Sequence, residues 1–184
     1  MTEFADKEFS FCSPLRSTIF ISHDKKVAKA CGVHISREGI LVSSTERINQ
    51  VPELDFMFLL QEYPDFSKLS EDEIFQMELK RSIYLNNFPK HTLRCVGDLY
   101  RQNRAATNNF YSLRFIRPER DLEKLLFEYL DQFTHNLIYL VDLIGNIKKR
   151  KLLYPIAFFL GYETSNEGEL CKEILHDFHK LKKY

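Results

Sequence analysis

The sequence predicts an α+β protein, with an N-terminal antiparallel β meander packed on a mainly helical C-terminal bundle. Three observations carry that expectation. Between Leu15 and Ser43, β-branched and aromatic residues come in short runs separated by polar tetrads. From Pro118 to Ile147, apolar residues recur at steps of three and four. Leu152–Tyr162 (LLYPIAFFLGY) is an eleven-residue apolar run, too short to span a bilayer and long enough for a buried helix.

In chain order, residues 1–14 read as a lead-in that Phe9 and Phe11 could pin down. Leu15–Ser22 is the first expected strand, and the tetrad His23-Asp24-Lys25-Lys26 turns it into Val27–Ile35. Ser36-Arg37-Glu38-Gly39 fits a type I turn with glycine at its end, leading into Ile40–Ser43. Asp55–Tyr63 (DFMFLLQEY) fits a fourth strand or a short helix. After Pro64, Ser70 with Glu73 forms a capping box, and Leu69 with Ile74 is spaced as the hydrophobic staple across it. A helix is therefore expected from Glu71 to about Asn86, burying Ile74, Phe75, Ile83 and Tyr84. A further helix is expected over His91–Arg104, on Leu93, Val96, Leu99 and Tyr100. Phe110–Ile116 alternates loosely and fits strand or loop.

The central helix is expected over 118–147. Its stripe is Leu122, Leu126, Phe133, Leu137, Leu140, Ile144 and Ile147, with Tyr129 and Leu130 filling the one gap and Leu125, Ile138 and Val141 widening it. Pro118 suits a first turn, and Gly145 with Asn146 can close the far end. Such a helix is about 40 Å long. Asn166 with Glu169 caps a last helix whose stripe is Leu170, Ile174, Phe178 and Leu181. The expected division is a β-rich module over 1–64 and a helical region over 65–184.

Net charge is zero over 184 residues, so no global field draws the chain to nucleic acid or membrane. The distribution is uneven. Pro52–Lys80 holds eight acids against two bases, and Lys90–Arg120 holds seven bases against two acids. The plainest account is that the two segments pack side by side and neutralise each other. Four cysteines lie far apart with no CxxC, the N-terminus lacks the plan of a signal peptide, and no apolar run reaches 18 residues. An intracellular protein, cytoplasmic or nuclear, with free thiols is expected.

Several constellations bear on chemistry. His91, Cys95 and Asp98 would share one face of a helix and set a base and an acid beside a thiol. No oxyanion-stabilising pair accompanies them. Cys31 with His34, and Cys171 with His176 and His179, supply zinc-type donors, but no two close pairs announce a site, and no metal or cofactor is expected. Val27–Ile35 has the look of a helix-turn-helix opening, which Ser36-Arg37-Glu38-Gly39 interrupts where a recognition helix belongs.

The segment 101–120 interleaves Arg101, Arg104, Arg114, Arg117 and Arg120 with Phe110, Tyr111 and Phe115, the mixture that grips single-stranded nucleic acid. Lys148, Lys149, Arg150 and Lys151 add a basic cluster that complements a helix C-terminus equally well. No glycine-rich phosphate loop, GxSxG, HExxH or paired-carboxylate motif occurs. The expected function is a non-catalytic binding or adaptor protein, a subunit or regulator of a larger assembly with a protein partner or a second copy of itself. The alternatives are a nucleic-acid binder using 101–120 and a cysteine-dependent enzyme using Cys95.

Overall fold

A period of two governs most of the strands and decides which side chains point inward. The computed structural model describes residues 12–23, 26–49, 53–104, 108–116, 118, 120–164 and 166–181. The chain divides into two compact units, each discontinuous in sequence: Met1–Leu60 with Lys90–Glu128, and Gln61–Pro89 with Tyr129–Tyr184. Strands return after residue 90, so the first unit takes chain from both sides of residue 64.

The first unit holds seven strands: β1 Ser13–Pro14, β2 Thr18–His23, β3 Lys26–Ile35, β4 Gly39–Ser44, β5 Leu54–Gln61, β6 Lys90–Arg104 and β7 Asn109–Phe115. Their order is β1-β3-β2-β5-β6-β7-β4, and β4 pairs back onto β3, so six strands close into an antiparallel barrel with β1 added outside. The expected meander is present as β2, β3 and β4. Ten-residue β3 serves the closure from both ends, pairing Lys26–Cys31 with β2 and Cys31–Ile35 with β4. An irregularity between Gly32 and His34 bends it.

In β5 the residues Leu54, Phe56, Phe58 and Leu60 are buried while Asp55 and Leu59 are exposed. The inner rings stack, Phe56 lying 5.8 Å from Phe115 and 6.3 Å from Phe58. Gly97 makes that stacking fit: a Cβ there would stand 2.7 Å from the Phe56 ring and 2.5 Å from the Arg114 carbonyl oxygen.

Residues 91–104, expected as a helix, are strand β6. Leu93, Cys95, Gly97 and Leu99 are buried, and Arg94, Val96 and Tyr100 are exposed, an alternation no helix produces. Flanked by β5 and β7, the segment satisfies its backbone in two ladders, and pairing overrides its apolar spacing. For the same reason Val27–Ile35 is strand and not the opening of a helix-turn-helix. The two open segments, 55–63 and 110–116, resolve as β5 and β7.

In the second unit a single 3-10 turn, Phe66–Lys68, precedes α1 Glu71–Leu79, which starts on the complete Ser70–Glu73 capping box. The helix expected to reach Asn86 is interrupted at Lys80 and resumes as α2 Arg81–Asn87, leaving Ile83 exposed instead of buried. The long helix α3 spans Arg120–Gly145, its residues up to Glu128 belonging to the first unit and the rest to the second. Leu122, Leu126, Tyr129, Leu130, Phe133, Leu137 and Leu140 are buried as expected, Leu143 joins them, and Ile138 and Ile147 are exposed.

The apolar run forms α4 Leu153–Phe159, closed by Gly161 at φ 101° with the Tyr162 N–H on the Ala157 carbonyl and the Gly161 N–H on that of Phe158. The last helix, α5 Glu167–Leu181, is capped as expected by the Asn166 side chain accepting from the Glu169 N–H at 3.2 Å. Fully buried Asn136 is satisfied on both sides: its oxygen accepts from the Phe66 N–H at 3.0 Å, and its nitrogen donates to the Pro64 carbonyl at 2.9 Å.

Candidate functional site

The interleaved basic and aromatic residues of 101–120 do not form one surface. On β7, Tyr111, Leu113 and Phe115 point into the barrel while Ser112 and Arg114 point out. The Tyr111 hydroxyl accepts from the Ile48 N–H at 3.1 Å and donates to the Glu46 carbonyl at 3.2 Å. With Phe115 also buried and Phe110 half-buried, no base-stacking platform exists at these three positions. Arg114 is held by Asp98, Nη2 to Oδ2 at 2.6 Å and Nε to Oδ1 at 3.2 Å, and lies 5.2 Å over the Tyr100 ring. The Asp98 carboxylate raises the Arg114 pKa, first by hydrogen bonding and then by its charge. The partner of Arg114 therefore comes from its own segment and not from the acidic 52–80 stretch.

Arg101 and Arg120 are exposed, on β6 and at the start of α3. The Arg104 side chain and Arg117 lie outside the described residues. Lys148, Lys149, Arg150 and Lys151 belong to the other unit. Lys148 and Lys149 are exposed in the turn after α3, Arg150 pairs with Glu167, and Lys151 pairs with Glu71 at 2.6 Å while lying 5.6 Å over Phe75.

The thiol reading loses its geometry. On a strand Cys95 faces the barrel interior, whereas Asp98 faces out to Arg114. Among the described residues no group of three or more histidines, cysteines or acids could hold a metal ion.

A polar cluster that sequence reasoning missed lies in the second unit, where an open cleft of about 330 Å³ is lined by Asp65, Lys68, Asp131, Gln132, His135 and Ile138, among others. Ser67 Oγ donates to Asp65 Oδ1 at 2.5 Å, and His135 Nε2 stands 3.3 Å from Ser67 Oγ and 3.4 Å from Asp65 Oδ1. Burial pushes the Asp65 pKa up, but hydrogen bonds from Ser67 and Lys68 with the charge of His135 outweigh it and leave the value lowered. A hydrolytic relay needs the acid on the ring nitrogen opposite the serine. Here both groups meet the same nitrogen, so the cluster clasps the 3-10 turn to α3. Nothing in the sequence links Asp65 to His135, since only folding joins them.

Apart from Phe127 on α3, the large exposed apolar side chains of the first unit, among the described residues, lie on the barrel strands. Phe20 is 42% exposed at the centre of β2, with Lys29 of β3 opposite on one side and Met57 of β5 on the other. Leu59, two residues beyond Met57 and on its face, is 44% exposed, and Val27, opposite Ser22, is 66% exposed. Val96 and Tyr100 are also exposed on β6. Val27, Phe20 and Leu59 thus lie on a diagonal across three adjacent strands, each one outward rung from the next, with half-buried Met57 beside Phe20.

No protein-family model matches the chain, and no curated protein matches it. Among solved structures, the inhibitor of motility MotI/DgrA of Bacillus subtilis is similar over 67% of this chain and 49% of its own, at 10% identity and a TM-score of 0.47. YcgR of Escherichia coli in complex with c-di-GMP is similar over 75% of this chain and 50% of its own, at 10% identity and a TM-score of 0.45. The isolated PilZ domain of YcgR with c-di-GMP is similar over 68% of this chain and 93% of its own, at 11% identity and a TM-score of 0.38. The aligned region spans about half the length of the first two.

Proposed function

We propose that this protein is a non-catalytic intracellular binding subunit or regulator, working through the outer face of its barrel. The observation that carries the reading is the outward cluster of exposed Phe20 and Leu59 around half-buried Met57, which pairs with Phe20 across the ladder. Phe20–Ser22 and Asp55–Met57 pair with each other, and each strand is flanked by a further one, so recognition at this stretch works through side chains and not by strand addition.

A photo-crosslinking amino acid placed at position 20 and expressed in the native cell tests the reading. A discrete adduct of defined mass is expected, and it should disappear when Leu59 is also changed to Glu. A crosslinking pattern no richer than that from position 148, in the exposed turn after α3, refutes it. The small molecule to titrate in parallel is c-di-GMP, the ligand of the E. coli structures above. Saturable heat on titration would make the barrel a ligand-responsive regulator, and none would leave it an adaptor alone.

Nucleic acid is not carried forward as a partner, because the aromatic half of the expected grip, Tyr111 and Phe115, sits in the barrel core.

A further inference from the structure

We infer that the outer face of β3, β2 and β5 is an isologous contact between two copies of this chain. The inference rests on the proposed binding role of that face and names its occupant.

The charge pattern selects the occupant. Lys29 lies opposite Phe20 on β3, and Asp55 lies opposite Ser22 on β5, so one cation and one anion flank the apolar centre on opposite sides. Both are exposed, and neither forms an ion pair with another described residue. A partner of single-signed charge would meet one of them favourably and the other unfavourably. A two-fold axis instead exchanges every pair of positions, so that residue i meets j while j meets i.

Strand spacing and rise put Lys29 and Asp55 about 10 Å apart across the strands and about 7 Å along them. An axis lying in the contact plane and crossing midway passes between Phe20 and Ser22. It brings Lys29 of each copy over Asp55 of the other and lays each Phe20 ring near the Phe20 and Met57 of its mate. The chain carries no net charge, so no long-range repulsion opposes the approach of two copies.

Sedimentation velocity on the full chain, from about 1 to 200 µM, tests this. The wild type is expected to show a concentration-dependent dimer. Phe20→Glu with Leu59→Glu is expected to be monomeric throughout, with unchanged circular dichroism because both positions are exposed.

A charge exchange removes any dependence on that variant. Lys29→Glu and Asp55→Lys should each weaken the dimer about tenfold or more, as the loss of a close interfacial charge pair does. An equimolar mixture of the two single variants, and the doubly exchanged chain, should each recover it.

A wild type that stays monomeric at the highest concentration overturns the inference, as does a dimer indifferent to the Phe20 and Leu59 changes or unrecovered in the mixture. If the wild type is monomeric while the position-20 crosslink captures a different protein, only the choice of occupant falls. If there is neither dimer nor crosslink, the binding reading of this face falls with it.

Discussion

The barrel has two kinds of outer surface, and β4 and β5 show the difference. Along β5 burial alternates, and the outward residues Asp55 and Leu59 are in water. Along β4 Ile40 and Val42 point inward, yet the outward Leu41 is only 3% exposed and its neighbour Ser112 on β7 only 1%. One flank of the barrel is thus a second core layer, while the other is finished as a surface although it carries similar apolar residues. Residue type does not distinguish them: Leu41 and Leu59 are the same side chain on the same side of the barrel wall. What differs is whether anything lies on top, and only the flank left open is available for binding.

The comparison is broken most forcefully by truncating matched positions. Phe58→Ala on the inner face of β5 should cost about 3–5 kcal/mol, and Leu41→Ala on the outer face of β4 about 2–5 kcal/mol, since both open a cavity among buried groups. Leu59→Ala, outward on β5, should change stability by less than about 0.5 kcal/mol at low micromolar concentration, where self-association does not contribute. Urea denaturation followed by far-ultraviolet circular dichroism reads all three. Near-equal costs for Leu41 and Leu59 would abolish the distinction between the two flanks.

Tyr111→Phe sharpens the same comparison from inside. The change keeps the ring but removes the hydroxyl that bonds the Ile48 N–H and the Glu46 carbonyl, stranding a buried donor. A loss of about 1–3 kcal/mol is expected in the same urea assay. A neutral result would mean that water reaches this end of the barrel.

The elements legible in the sequence were those that local physics determines. The stripe of α3, the capping box before α1, the Asn166 cap of α5 and the Ser36–Gly39 turn of the meander each depend on residues within a few positions of one another. Barrel closure was not legible, because pairing Ile21 with Phe56 and Val42 with Tyr111 joins segments that carry no sign of each other. Segment 91–104 was misread because Leu93, Val96, Leu99 and Tyr100 fit a helical template. Its true alternation runs through Cys95 and Gly97, which do not register as strongly apolar.

The described basic and aromatic residues of 101–120 do not share one surface, for a related reason. Interleaving on a strand sends the two types to opposite faces, so Tyr111 and Arg114, neighbours in sequence, never meet one ligand together. The exposed row on β2 and β5 was invisible, since Phe20 and Leu59 look like core until their strands are placed.

The smallest effect concerns a helix start in the second unit, away from either flank of the barrel. Ser70 accepts from the Glu73 N–H at 3.3 Å, and Glu73 Oε2 receives both the Ser70 N–H and its hydroxyl at 2.8 Å. The Ser70 backbone N–H, and after it the hydroxyl, lowers the Glu73 pKa against a weaker opposing effect of burial. A carboxylate whose pKa is lowered on folding stabilises the fold above its unfolded value and loses that contribution as pH falls through the folded one. Ser70→Ala should therefore cost about 1 kcal/mol at neutral pH, the usual worth of an N-cap. The gap between variant and wild type should narrow as the pH is lowered stepwise into the acid range, as Glu73 takes up a proton and ceases to accept the hydroxyl as a charged partner. A gap of equal size at every pH would show that the hydroxyl acts only by capping the Glu73 N–H, with the carboxylate taking no part.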